Sequence, residues 1–219
     1  MATVTDNALW GRTADKERSE VDRIYDLLRD WVIAAKLQPG AFLSESELAE
    51  RCGASRTPVR EALSRLVQDG WVSSIHRKGF QVRPIDLRDI SEIFTYRRLF
   101  ECYAGERAAV TATAAQITEL EEIIGLERRP GISRLEDSQL NERFHMALVH
   151  RTENERMIGQ MRLVMAYMRR LYALVSVVDL VDHNEILEAI KARNGVRAGF
   201  LLGEHVDFAL QSMIKSFFQ

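Results

Sequence analysis

The chain of 219 residues is poor in cysteine, proline and histidine, with two, four and five of them. Cys52 and Cys102 lie too far apart for a metal or redox spacing, so both are expected as reduced thiols of a cytoplasmic protein. Few prolines in a helix-friendly composition point to a mainly α fold. The opening stretch from Met1 to Lys16 is polar and too short of apolar residues for a secretion signal. Nor does any run approach the roughly 20 apolar residues of a membrane helix. No HExxH motif, no assembled nucleophile and base, and no phosphate-cradling glycine loop appears, which argues against an enzyme. A metal-dependent hydrolase is therefore the weakest functional reading.

What is present is ordinary in bulk and uneven in detail. Hydrophobic residues make up 46% and charged residues 28%, enough for a packed core in two domains. The formal net charge is −2, yet between Arg51 and Arg83 seven basic residues face only Glu61 and Asp69. A local positive patch in an acidic chain suits a polyanion.

The pattern predicts a mobile arm over 1–17 and a first helix from Val21. Ser44 and Glu47 form an expected capping box for a short helix that Gly53 stops. Ser55-Arg56-Thr57-Pro58 opens the next helix, whose buried stripe is Val59, Leu63, Leu66 and Val67. Two β-prone runs, Trp71–Ile75 and Phe80–Arg83, flank His76-Arg77-Lys78-Gly79 as a hairpin. Helix, turn, helix and basic hairpin together make a winged helix-turn-helix over 18–84. Beyond Asp86, helices are expected near 87–110, 115–128, 133–151, 154–176, 179–193 and 195–217. Their short connections make 86–219 an all-α antiparallel bundle.

Arg56, Arg60 and Ser64 are spaced one turn apart, away from the buried stripe. Arginine at the start of such a helix can bond guanine O6 and N7 in bidentate fashion. Ser55 and Thr57 can bond phosphate beside the first-turn amides. His76, Arg77 and Lys78 are placed for backbone or minor groove, with Gly79 permitting the turn. Glu61 is expected to pair with Arg65 at i+4.

In the bundle, His145, His183 and His205 fall on three separate helices, and Asn141 shares a face with His145. Imidazoles converging inside a bundle make a divalent-metal site, with zinc or nickel suited better than magnesium or calcium. Met157, Met161, Met165 and Met168 read as flexible core packing rather than a copper site. Gly195, Gly199 and Gly203 form a flat strip that permits close helix packing.

The stretch Ser46-Glu47-Leu48-Ala49, Ser55-Arg56-Thr57-Pro58-Val59-Arg60-Glu61-Ala62-Leu63, Asp69-Gly70-Trp71 and Lys78-Gly79-Phe80 resembles the winged helix of GntR-type regulators. The resemblance implies that Arg56 and Arg60 contact bases, with Ser55, Thr57 and Gly79 in support. Asn141-Glu142-Arg143-Phe144-His145, Asp182-His183 and Glu204-His205 resemble the FCD effector domain of the FadR branch. That resemblance implies a regulator acting as a homodimer on near-palindromic double-stranded operator DNA, as a repressor. It also implies a small carboxylate effector held against a metal and an arginine, here Arg97 with Arg98 behind it. The family's usual aspartate is replaced by Asn141, a weaker ligand for a divalent ion. A metal-free regulator with an apolar pocket for a larger, acyl-type effector is the alternative.

Overall fold

The computed structural model describes residues 19–175 and 182–217. The chain divides into two compact units, one ending at Pro84 and one beginning at Ile85. The arm expected over 1–17 lies outside the described residues, as does the start of the helix expected from 179.

In the first unit, α1 (Glu20–Ile33) is followed by β1 (Phe42–Leu43), α2 (Glu45–Cys52), α3 (Arg56–Gln68), β2 (Val72–Ile75) and β3 (Gly79–Val82). A capping box between Ser19 and Asp22 starts α1. Ser44 caps α2 by accepting from the Glu47 amide at 3.4 Å, and its hydroxyl also meets that of Ser46. Gly53 ends α2 in the left-handed region, at φ 61°. Ile24, Leu28, Val59, Leu63, Leu66, Trp71 and Val82 form the core.

The β-hairpin is part of a larger sheet. β1 pairs antiparallel with β3, giving the order β1-β3-β2, with Leu43 opposite Phe80 and Val72 opposite Val82. Two residues are too few to show a period of two, so β1 left no trace in the sequence pattern. Arg65 reaches Asp22 on α1 at 2.7 Å rather than pairing within its own helix as expected. That contact ties α3 to α1.

The second unit is all helix: α4 (Leu87–Thr111), α5 (Ala114–Glu127), α6 (Arg134–His150), α7 (Glu155–Leu174), α8 (Asn184–Lys191) and α9 (Gly195–Phe217). Asp86, Thr113 and Ser133 each cap a helix through a full capping box, and Asn154 caps α7. The methionines of α7 are core residues, Met161, Met165 and Met168 being buried.

The glycine strip of α9 lies against α4. A Cβ on Gly199 would stand 3.1 Å from the Cys102 carbonyl, and one on Gly195 3.1 Å from that of Glu106. On α4, a Cβ on Gly105 would collide with Leu202 Cδ1 and stand 3.2 Å from the Ala198 carbonyl, so the Leu202 side chain of α9 occupies the space that Gly105 leaves. The bare Cα atoms let the two helices approach more closely than a Cβ at these positions would allow. Among the described residues no helix is long and apolar enough to cross a membrane.

Candidate functional site

Each unit carries one cluster of chemistry. In the first, Ser55, Arg56, Thr57, Arg60 and Ser64 are all exposed along α3, opposite the buried Val59, Leu63 and Leu66. Ser55 is the N-cap of α3, yet its hydroxyl makes no capping bond, so it and the first-turn amides remain available to an anion. Arg56 makes no ion pair or hydrogen bond among the described residues. Arg60 bonds Glu45 on α2, with Nε 2.9 Å from Oε2. The hairpin turn exposes His76, Arg77, Lys78 and Gly79 together, with φ of 61° at Arg77 and 86° at Gly79. Glycine takes that geometry without cost, whereas Arg77 accepts some strain. Lys78 Nζ lies 5.8 Å from the centroid of the exposed Phe42 ring, so the short β1 supports the turn from beside.

In the second unit the functional residues are buried. His145 on α6, His183 before α8 and His205 on α9 converge, with ligand atoms all within 4.8 Å of one another. The rings are 4.8–5.2 Å apart by centroid. Phe144 stacks on His183 at 4.0 Å and holds that ring in place. Asn141 is buried one turn before His145 on α6.

Arg97 and Glu101, both fully buried, extend the cluster from α4. Arg97 Nε donates to Glu101 Oε1 at 2.8 Å, and its Nη2 is 3.3 Å from His145 Nε2. Guanidinium nitrogens only donate, so Nε2 accepts and the proton of His145 sits on Nδ1. That nitrogen lies 2.7 Å from Glu101 Oε2, close enough for attraction but off the line of a well-directed hydrogen bond. His183 is fixed in the same tautomer, its Nδ1 donating to Glu127 Oε2 at 2.9 Å. Arg97 is also bonded to Tyr172 of α7.

The electrostatics follow from this packing. Burial pushes Glu101 up, but Arg97 and His145 beside it prevail and hold its carboxyl well below the usual range. Burial lowers His145 against the opposing pull of Glu101. Burial, helped by the two neighbouring imidazoles, pushes His205 down to about 2. Neutral imidazoles are the form that binds a metal.

Two buried nitrogens, His183 Nε2 and His205 Nδ1, have no hydrogen-bond partner. Leaving such atoms unsatisfied costs about 1–3 kcal/mol each. Bare imidazole nitrogens at ligand spacing, each held by its surroundings, fit a divalent ion. The three histidines could hold one.

The expected residues thus separate. His145, His183 and His205 come together with Arg97 beside His145, while Asn141 is buried one turn before His145 on the same helix. Arg97 also pairs with Glu101 within α4. Arg98 does not join them. It is exposed and bonds Asp207 at 2.6 Å, because a neighbour in sequence points about 100° away around a helix. Glu101, Glu127 and Tyr172 were not named as site residues. The sequence carried a signal for two of them. Glu101 continues the stripe Ile90, Phe94, Arg97 at core spacing, and Glu127 follows Leu120, Ile123 and Ile124 likewise.

Comparison with known proteins agrees with both units. Residues 20–82 match the model of bacterial regulatory proteins of the gntR family, and residues 92–208 match the FCD domain. The uncharacterized HTH-type transcriptional regulator YdhC of Bacillus subtilis is 27% identical, over 82% of this chain and 84% of its own. The HTH-type transcriptional repressor RspR of Escherichia coli is 33% identical, over 58% of this chain and 56% of its own. The crystal structure of a putative transcriptional regulator GntR from Rhodococcus sp. RHA1 superposes with a TM-score of 0.71 at 27% identity. It covers 90% of this chain and 98% of that one.

Proposed function

The chain belongs to the GntR family of bacterial regulatory proteins, with an FCD domain, and on that premise we propose a cytoplasmic, ligand-responsive repressor. It is a transcription regulator and not an enzyme. It binds a near-palindromic operator as a homodimer, one α3 entering the major groove of each half-site. Arg56 and Arg60 read base edges, while Ser55, Thr57, His76, Arg77, Lys78 and Gly79 hold the phosphate backbone and the adjacent groove. The repressing sense is supported by RspR, a relative named as a transcriptional repressor.

The observation that carries the effector reading is the pair of buried, partnerless imidazole nitrogens on His183 and His205. His145, His183 and His205, with Asn141 beside them, hold zinc or nickel. Such an ion would supply positive charge beside Arg97 and the carboxylates of Glu101 and Glu127. Arg97, whose guanidinium lies 3.3 Å from His145 Nε2, would hold the carboxylate of a small effector beside such an ion. Filling the site shifts DNA affinity through differential binding to two states of the dimer.

The dimer is supported by an apolar stripe that a lone chain leaves in water. Tyr96, Leu99, Tyr103 and Val110 follow the three-four spacing of a helix seam on α4, and Val196 and Phe200 are exposed on α9.

Titration of the full chain against duplex from its own upstream intergenic region, at two salt concentrations, tests the DNA reading. Specific, salt-sensitive binding should weaken at least 100-fold in the Arg56→Ala/Arg60→Ala variant. Equal binding by both proteins would sink it. Metal content tests the second site. Stoichiometric zinc or nickel lost in His183→Ala supports it, and an absence of metal from both wild type and an Asn141→Asp variant rejects it.

A further inference from the structure

Arg60 lies on the reading face of α3, and its nearest charged neighbour is on a different helix. Both its Nε and its Nη2 bond one oxygen of Glu45, at 2.9 and 2.8 Å. The Glu45 side chain is 21% exposed and that of Arg60 68%, so the carboxylate is the anchored partner and the guanidinium the outward one. Ser64 Oγ donates to the Arg60 carbonyl at 2.8 Å and tightens the same turn.

An exposed pair of this kind contributes only about 0–1 kcal/mol to folding, so the fold does not require it. On a surface that meets phosphate, a carboxylate is moreover repelled by the partner. We propose that Glu45 is a positioning residue that fixes the guanidinium plane of Arg60 and restricts that arginine to guanine. This rests on the DNA-reading role given to α3 above.

The physical case is one of donors and charge. A guanidinium has five N–H donors in a rigid fork. Glu45 engages the Nε–Nη2 edge and makes no bond to Nη1, so that end of the exposed guanidinium remains for a base edge. Without Glu45 the side chain would swing among rotamers and satisfy itself on the nearest phosphate, a contact that carries no sequence information. With it, the pair is neutral, and phosphate attracts it little. Only a base edge offering two acceptors to a fork already in place, O6 and N7 of guanine, repays the desolvation. Discrimination then comes from suppressing the wrong contact as much as from the right one.

The test is selection of binding sequences from random duplex by the full chain, for wild type, Glu45→Gln, Glu45→Asp and Arg60→Ala. Each motif is followed by titration at several salt concentrations. In Glu45→Gln, guanine preference at one position per half-site should fall from tenfold or more to threefold or less. Affinity for unrelated duplex should rise two- to fivefold, with the log–log salt slope steeper by about one. Arg60→Ala should lose preference at that same position. Glu45→Asp keeps the charge but not the reach, so it should lose the preference with no change in salt slope. An unchanged motif in Glu45→Gln, with affinity raised alike on every sequence, would reduce Glu45 to a surface charge and overturn the proposal. A wild type that selects no motif would overturn the DNA reading itself, and that failure is visible before any variant is made.

Discussion

The two units place their polar chemistry on opposite sides of the water boundary. In the winged helix the residues assigned to DNA are exposed, and the interior of Ile24, Leu28, Val59, Leu63 and Leu66 is wholly apolar. In the bundle, Arg97, Glu101, His145, His183 and His205 are all at most 6% exposed, set among Phe94, Phe144 and other core residues. A surface that reads a polymer needs no cavity, and its own core is complete without the partner. A buried polar cluster is costly unless every member is satisfied, so its stability is coupled to whatever completes it. The proposed ligand of the bundle would complete the interior, whereas the proposed ligand of the winged helix would leave its interior as it is.

That contrast can be broken most readily at Glu101. Replacing it by alanine leaves Arg97 charged, buried and without its carboxylate, which should cost about 3–5 kcal/mol of bundle stability. The bundle has no tryptophan and the winged helix has Trp31 and Trp71, so in a Trp10→Phe background fluorescence follows the winged helix while circular dichroism is dominated by the bundle. The expected outcome is a lowered dichroism transition with an unmoved tryptophan transition. A Glu101→Ala loss below about 1 kcal/mol, the range of a surface substitution, would erase the difference between the units.

Lowering the pH should act in the same direction. His145 and His205 have folded values below the ordinary 6.5, so the unfolded chain takes up protons first. Their contribution is fully present above pH 6.5 and is lost progressively below it. Glu101, also depressed, adds stability above its ordinary 4.5 that is lost as pH falls further. The winged helix buries no histidine, its His76 being exposed. Metal-stripped protein should thus lose its dichroism transition before its tryptophan transition as pH falls from 7 to 4. Parallel losses would show that the buried cluster is not what titrates.

The smallest effect is expected in the winged helix. Ser44→Ala removes the cap of α2 and should cost about 0.5–1 kcal/mol, the low end for an N-cap because the bond is long at 3.4 Å. A larger loss in the tryptophan transition would mean that this unit too depends on a polar contact, and would sharpen the comparison differently.

The same divide decided what could be read from the sequence. The residues proposed to contact DNA lie within one stretch, between Ser55 and Gly79, where helix spacing and turn residues suffice to assign faces. The six helices of the bundle were legible because apolar periodicity and caps such as Asp86 and Asn154 mark them locally. The convergence of three histidines followed from short connections. Arg98 was grouped with Arg97 by adjacency alone, and the structure turns it outward to Asp207. Glu127 and Tyr172 reach the cluster from α5 and α7, and no local pattern states which helices meet at one depth. β1 was invisible because its two residues acquire a strand's geometry only from β3 beside them.

The glycine strip of α9 has a mechanical meaning. Where side chains separate two helices, rotamer changes absorb a small displacement and the neighbour hardly moves. Between α4 and α9 the spacer is thin: Gly195 and Gly199 stand against the backbone of Glu106 and Cys102, while the Leu202 side chain lies over Gly105 and that of Arg98 over Gly203. His205 rides on α9 and Arg97 with Glu101 on α4, so a push at one arrives at the other undamped. α4 is also the first helix after Pro84, where the chain enters the bundle. The pair is a stiff support for the histidine cluster, with His205 on one helix and Arg97 and Glu101 on the other.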